Sequence, residues 1–327
     1  MNAIRLILLM TLVSVLIACN EIIPSSDEET KSDKFSPSID QSAMSTDEVK
    51  GKRYALIIGN ANYIGDPYIV PLKNPLNDAR DMRQSLQKAG FEVIYRKDAI
   101  DRQAMMSAVQ AFTQKLHPSS VGLFYYAGHA VQVNGENYLI PTQAQLPTET
   151  EVKYETMSAQ YVLDKMEKAG NVFNIIILDA CRDNPFSKRG KRGLARIGGL
   201  AEMHHAKGAI IAFATSPNKT AEDGSGKNGV YTKHLLKVIN LPGLTLEEMF
   251  KRVRKGVLHE TNNEQIPWEN SSLIGNFCFM GCQFSKSVEE ARRQVEEAMI
   301  ETKKAKNRAV EAEIGNEKEE LHMPPAY

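Results

Sequence analysis

Four apolar residues in succession, Ile175–Leu178, run directly into Asp179, Cys181, Arg182 and Asp183. A strand with one solvated face alternates apolar and polar residues, so an unbroken apolar run reads as a strand buried on both faces. Three more runs share the pattern: RYALIIG at Arg53–Gly59, VGLFYY at Val121–Tyr126 and AIIAFA at Ala209–Ala214. Doubly buried strands belong to a mostly parallel sheet. Parallel neighbours need crossover connections, and those crossovers cover both sheet faces with helices.

The segments between these runs fit that demand. Leu76, Ala79, Met82, Leu86 and Ala89 recur at helical spacing and are closed by Gly90. Phe91–Tyr95 reads as another strand; Met105, Ala108, Val109, Phe112 and Leu116 mark a second helix face, ended by His117-Pro118. Helices are expected near 229–240 and 245–259, with a last apolar run at Leu273–Phe279. Val131–Ile140 interrupts the alternation, and its Asn134-Gly135 pair predicts a hairpin turn. The expected architecture is one α/β domain over residues 52–284. With 42% of residues hydrophobic and 24% charged, the chain can fill such a core. Lys+Arg and Asp+Glu both number 40, which excludes the global basic field of a nucleic-acid binder.

The ends are not domain-like. Residues 1–18 combine Arg5 with an apolar run too short for a membrane span, the shape of a secretion signal. The run ends in Leu16-Ile-Ala-Cys19, which resembles the lipobox of bacterial lipoproteins. That resemblance implies that Cys19 is acylated and becomes the mature amino terminus, anchoring the protein to a membrane. Asn20 in the place of an aspartate leans towards the outer membrane, at its periplasmic face, or the cell surface. Residues 19–51, rich in Ser, Thr, Asp and Lys, bury too little to offset their ordering entropy and are expected to form a disordered tether. Residues 285–327 read as a charged helical tail. Val288, Ala291, Val295, Ala298, Thr302, Ala305 and Ala309 make a thin heptad seam there, open either to self-association or to docking as a single solvated helix.

Chemistry gathers at two strand ends. Cys181 follows a buried strand, at the carboxyl edge where open α/β sheets place ligands. A thiol beside Asp179, Arg182 and Asp183 is poorly placed for an apolar core, and its chemistry requires a partner that takes its proton. Of seven histidines, His117, His234 and His259 read as structural or solvated, His204-His205 as a loop pair and His322 as part of the tail. His129, in Tyr125-Tyr-Ala-Gly-His-Ala130, lies just past the strand Val121–Tyr126, as Cys181 lies just past Ile175–Leu178. Neighbouring parallel strands lie about 4.8 Å apart, so pairing of these two strands brings thiol and imidazole to one sheet edge. A positioned histidine can deprotonate the thiol and later protonate a leaving amine.

ALIIGNANY, LKNPLNDARDM, FYYAGHAVQVNGENYLIP, IIILDACRDNPF and AFATSPNKTAEDGSGKNGVYTKHLL occur in this order over residues 52–280. In this the chain resembles the caspase-like cysteine peptidases, specifically bacterial caspase-domain proteins related to metacaspases. The resemblance implies a three-layer caspase-like sandwich and a cysteine endopeptidase acting on protein or peptide substrates, with His129 as general acid–base and Cys181 as nucleophile. It places the oxyanion hole at the amides of Cys181 and Ala130; glycine is usual after the histidine, so Ala130 is a departure that puts that donor's aim in doubt. It also implies an acidic S1 pocket from Asp179, two residues before the nucleophile, and Asp78, favouring a P1 arginine or lysine. Equally open is that Asp78 charges an early helix turn and Asp179 holds a loop. Asp183 suits either the pocket or a turn.

The remaining features are less specific. Ser187–Arg196 is a basic, glycine-rich segment, open either to a flexible loop beside the site or to self-cleavage such as related proenzymes undergo between their large and small parts, and Thr215–Gly229 matches the family's substrate-lining loop. Neither a zinc pattern nor a P-loop ending is present, so no metal or other cofactor is expected, with calcium dependence left open. Cys278 and Cys282 lie about 13 Å apart if extended, too far for a disulfide. Gly281 permits one if it bends the chain. The alternative to a peptidase is a catalytically idle caspase-like binding or scaffolding lipoprotein, which loss of Cys181 or His129 would favour; both residues are present.

Overall fold

A computed structural model describes residues 51–171, 173–181, 200–203, 208–216 and 226–282, and isolated positions between 294 and 304; Cys181 is described by its backbone. The leader, Cys19, the tether, Arg182, Asp183, His204-His205, the 187–196 loop, most of the 215–229 loop and most of the tail lie outside the described residues. The few described tail positions are helical and exposed.

The element order is β1 (Arg53–Gly59), α1 (Pro75–Lys88), β2 (Phe91–Lys97), α2 (Arg102–Thr113), β3 (Val121–Val133), β4 (Glu136–Leu139), α3 (Glu149–Glu155), β5 (Met157–Ser158), α4 (Ala159–Lys168), β6 (Phe173–Cys181), β7 (Ala209–Phe213), α5 (Val230–Val238), α6 (Leu246–Glu260) and β8 (Trp268–Ser271). The main sheet runs β2-β1-β3-β6-β7-β8. Every pair in it is parallel except β7 with β8. β4 and β5 form a small antiparallel extension of β3.

The unbroken apolar runs have the expected cause. In β1, Ala55 and Ile57 join one core with α1, α5 and α6, whereas Tyr54, Leu56 and Ile58 join a second core with α2 and α4. Ile175 and Ile177 of β6 face the first core, Ile176 and Leu178 the second. Each fully buried side chain of this size contributes roughly 1.5–3 kcal/mol. A one-residue slip would exchange the faces of a whole strand, so the two cores fix the register.

The local signals also hold. Gly90 follows α1 with φ +81°, and Asn134-Gly135 turns the β3–β4 hairpin with φ +52° and +82°, as a two-residue hairpin turn with both φ positive requires. Asp101, Thr148, Ser158 and Thr245 cap α2, α3, α4 and α6 through their side chains.

A strand boundary moves, and two open points are decided. The strand that begins at Val121 does not end at Tyr126 but runs on to Val133. The last apolar run, Leu273–Phe279, is not where the sheet ends; its Phe277 and Phe279 are buried against Phe91. The sheet is closed instead by β8, whose sequence WENS carries no apolar pattern because it is an edge strand. Cys278 and Cys282 are joined by a disulfide, their Cα atoms 5.3 Å apart, with Gly281 at φ +85° making the bend. Among the described residues no helix is long and apolar enough to cross a membrane.

Candidate active site

β3 changes neighbours at the site. Through Ala127 it lies between β1 and β6, and from Ala130 onward β4 takes the place of β1. β6 stays with β3 to its last residue, so His129 and Cys181 are Cα partners across the parallel ladder. The two residues are thus the final pair of the ladder rather than residues beyond it. Their relation is closer than strand ends alone imply.

The backbone around His129 is held on every side. A Cβ built on Gly128 would lie 2.6 Å from Tyr63 Oη and 2.8 Å from Tyr126 Oη, so glycine is what lets the two phenols close on the strand. Tyr63 Oη accepts the His129 N–H at 2.7 Å, and its ring meets the imidazole edge-on at 4.7 Å. Tyr126 Oη donates to the His129 carbonyl at 2.7 Å, and the Ile140 N–H donates to the same oxygen at 3.0 Å. With its imidazole buried at 1% exposure, His129 is fixed as a core residue is.

The loop between β1 and α1 supplies the last constraint. His129 Nε2 lies 2.8 Å from the carbonyl oxygen of Val70. A carbonyl can only accept, so in the neutral ring Nε2 carries the proton and Nδ1 keeps the lone pair. Nδ1 is therefore the nitrogen able to take a proton. The loop that presents Val70 is itself anchored. Asp66 accepts the Tyr68 N–H at 2.9 Å and the Leu146 N–H at 3.0 Å, and the Ile64 N–H donates to Thr142 O at 2.9 Å. Tyr63 and Ile69 pack with Val131, Ile140 and Leu146 in a small third core.

The amide of Ala130 can be oriented from the ladder. N–H and C=O of one strand residue point to one side, and neighbours alternate. His129 gives its carbonyl to Ile140, on the β4 side, so the Ala130 N–H faces the β6 side, where Cys181 ends its strand. Ala130 is not among the residues with positive φ, so its Cβ brings no left-handed strain.

Asp78 and Asp179 meet the same helix end. Asp78, buried at 3% exposure in the first turn of α1, accepts from Asn228 Nδ2 at 2.9 Å and from the Gly229 N–H at 3.1 Å, the residue that opens α5. Asp179 accepts from Thr232 Oγ1 at 2.6 Å, in the first turn of α5. Since the Thr232 proton goes to Asp179, the Tyr125 hydroxyl 2.6 Å away donates to Thr232. Burial, then the charges of Asp179 and Asp78, push the Tyr125 phenol well above its usual range, so it stays a donor. Asp81 joins the group from α1, bonded to Lys227 at 2.8 Å and Asn228 at 3.1 Å. Burial works to raise its pKa, but hydrogen bonds from Lys227, Asn228 and Arg80 outweigh that and hold it below the ordinary value.

Sequence reasoning found Asp78, His129 and Asp179 but missed their supports. Tyr63 lies inside ALIIGNANY and Tyr125, Asn228 and Thr232 inside other quoted segments, yet nothing in a single sequence marks a tyrosine or threonine as a hydrogen-bond partner. Val70 acts through its backbone and leaves no residue-type signal at all. The other described histidines lie elsewhere: His117 bonds Ser119, His234 pairs with Glu260, and His259 is exposed.

A family model, the caspase domain, matches residues 52–278. Mucosa-associated lymphoid tissue lymphoma translocation protein 1 of Homo sapiens is 32% identical over 144 residues, covering 44% of this chain and 17% of that protein. Its Mus musculus homolog is 32% identical over 130 residues, covering 40% of this chain and 15% of the homolog. The chain thus matches less than a fifth of the length of these relatives.

Proposed function

The chain belongs to the caspase-domain family, and from that premise we propose that it is a cysteine endopeptidase that cleaves after arginine or lysine. The observation that carries the reading is the register of His129 with Cys181. In this reading Nδ1 of His129 takes the proton of the Cys181 thiol, and the thiolate attacks the scissile carbonyl carbon. The oxyanion that forms is stabilised by the amides of Cys181 and Ala130. His129 then gives its proton to the leaving amine, and water, deprotonated by the same ring, releases the acyl group. Val70 O supports the doubly protonated ring by accepting from Nε2 throughout.

The basic P1 preference rests on Asp78 and Asp179, two carboxylates brought to one helix end. The amino-terminal signal and Cys19 suggest an exported, lipid-anchored protein, and the Cys278–Cys282 disulfide fits an oxidising compartment. Fluorogenic peptides ending in Arg, Lys or Asp, assayed with and without calcium, test the activity and its specificity. Release from the arginine and lysine peptides and none from the aspartate peptide is expected. Preference for aspartate, or no release from any peptide in either condition, would contradict the reading.

A further inference from the structure

Helices α5 and α6 border an open surface cleft of about 740 Å³, lined by His234, Lys237, Arg252, Lys255, Gly256, His259 and Glu260. Arg252, Lys255 and His259 stand three and four residues apart and so share one face of α6. Like charges at this spacing destabilise a helix about as much as opposite charges stabilise it. The negative carboxyl end of each helix accounts for Lys237 and His259, which lie in last turns. It does not account for Arg252 and Lys255, which lie further in.

The lining has no carboxylate to spare. Glu260 accepts from Lys233 Nζ and, at 2.8 Å, from His234 Nε2, and these bonds, with Lys233's first, hold its pKa below the ordinary value. Among the described residues no ion pair forms with Lys237, Arg252 or Lys255, whereas their neighbour Arg254 turns away to pair with Glu269 and Pro267 O. The floor is shaped as well as charged. A Cβ on Gly256 would lie 2.3 Å from His234 Nδ1, so the imidazole packs directly on the bare backbone of Gly256. A glycine within a helix is less favourable than an alanine, and here it seats the imidazole at the base of the cleft.

We propose that this cleft binds a phosphate-type oxyanion, held by Lys237, Arg252 and Lys255 above the His234–Gly256 floor. Arginine's planar fork matches two phosphate oxygens, and the lysines act as point charges around it. The site is distinct from the proposed peptidase centre, and the inference does not depend on that centre being active. The phosphate can belong to a free compound or to a lipid headgroup, and the two sources separate experimentally.

Calorimetric titration of the full chain with tripolyphosphate tests the first source, and flotation with phosphatidylcholine vesicles with and without phosphatidylglycerol tests the second. Binding in at least one arm is expected, and the Arg252→Gln/Lys255→Gln pair should weaken it about tenfold or more. Lys251→Gln, which removes an exposed charge outside the cleft lining, should leave it unchanged. Tripolyphosphate binding that responds to the pair identifies a free phosphate compound; vesicle binding alone that responds to the pair identifies a headgroup. No binding in either arm, or equal weakening by Lys251→Gln and the cleft pair, would overturn the proposal.

Discussion

Alanine at Cys181 is expected to abolish hydrolysis of an arginine-ending peptide, and alanine at His129 to lower kcat/KM by several orders of magnitude. Without the sulfur there is nothing to form the acyl-enzyme. Without the imidazole no base takes the thiol's proton and the leaving amine finds none. The double variant should be no worse than the worse single one, because the two residues act as a unit. His129→Ala also empties a buried site against Tyr63, so its thermal stability should fall more than that of Cys181→Ala. Circular dichroism separates the two effects: both variants should keep the wild-type spectrum at low temperature while hydrolysis is lost. Near-normal hydrolysis by a pure Cys181→Ala preparation would refute the mechanism.

The next largest effect is expected at Asp179 and Asp78, and it is an effect on choice rather than on chemistry. Losing one charge-assisted hydrogen bond to a P1 arginine costs about 1.5–3 kcal/mol, roughly ten- to a hundred-fold in kcat/KM. Asp179→Asn keeps an oxygen for the Thr232 hydroxyl, and Asp78→Asn keeps one for Asn228 and Gly229, so the opening of α5 should survive both changes. A neutral P1 substrate does not use the charge and should be affected much less. If these carboxylates only hold α5 in place, all substrates weaken together. The measured quantity is the ratio of efficiencies for arginine and neutral P1 peptides in each variant. An unchanged ratio in both would remove the acidic pocket from the account.

How much of this was legible varies with the physics of each part. The doubly buried strands β1, β6 and β7 stand out because burial on two faces leaves a short apolar run bounded by polar residues and turns. Asn134-Gly135 was equally plain, since few residue pairs tolerate two positive φ angles. The length of β3 was hidden. Directly beyond Tyr126 come Ala127, Gly128 and His129, small or polar, and pairing with β6, then with β4 from Ala130, keeps the strand extended. That hidden stretch contains His129, so the sequence brought the residue to the right edge but not into the ladder. β8 was illegible for the opposite reason, as an edge strand with a polar sequence is specified by the neighbour it pairs with. In the site, carboxylates and imidazoles stood out by type. Their supports, the Val70 carbonyl and the Tyr63, Tyr125 and Thr232 hydroxyls, exist only as distances.

The central claim, that Cys181 is a nucleophile activated by His129 and addressed by a basic P1 residue, is tested most directly by covalent capture. The full chain is incubated with a peptidyl-arginine acyloxymethyl ketone, in which a thiolate displaces the carboxylate and leaves a thioether, and the adduct is located by peptide mass spectrometry. Stoichiometric modification of Cys181 is expected, with none at the other cysteines, little in His129→Ala and little from the matching aspartate probe. An intact Cys181 after prolonged exposure, or labelling by the arginine and aspartate probes at equal rates, would contradict the account.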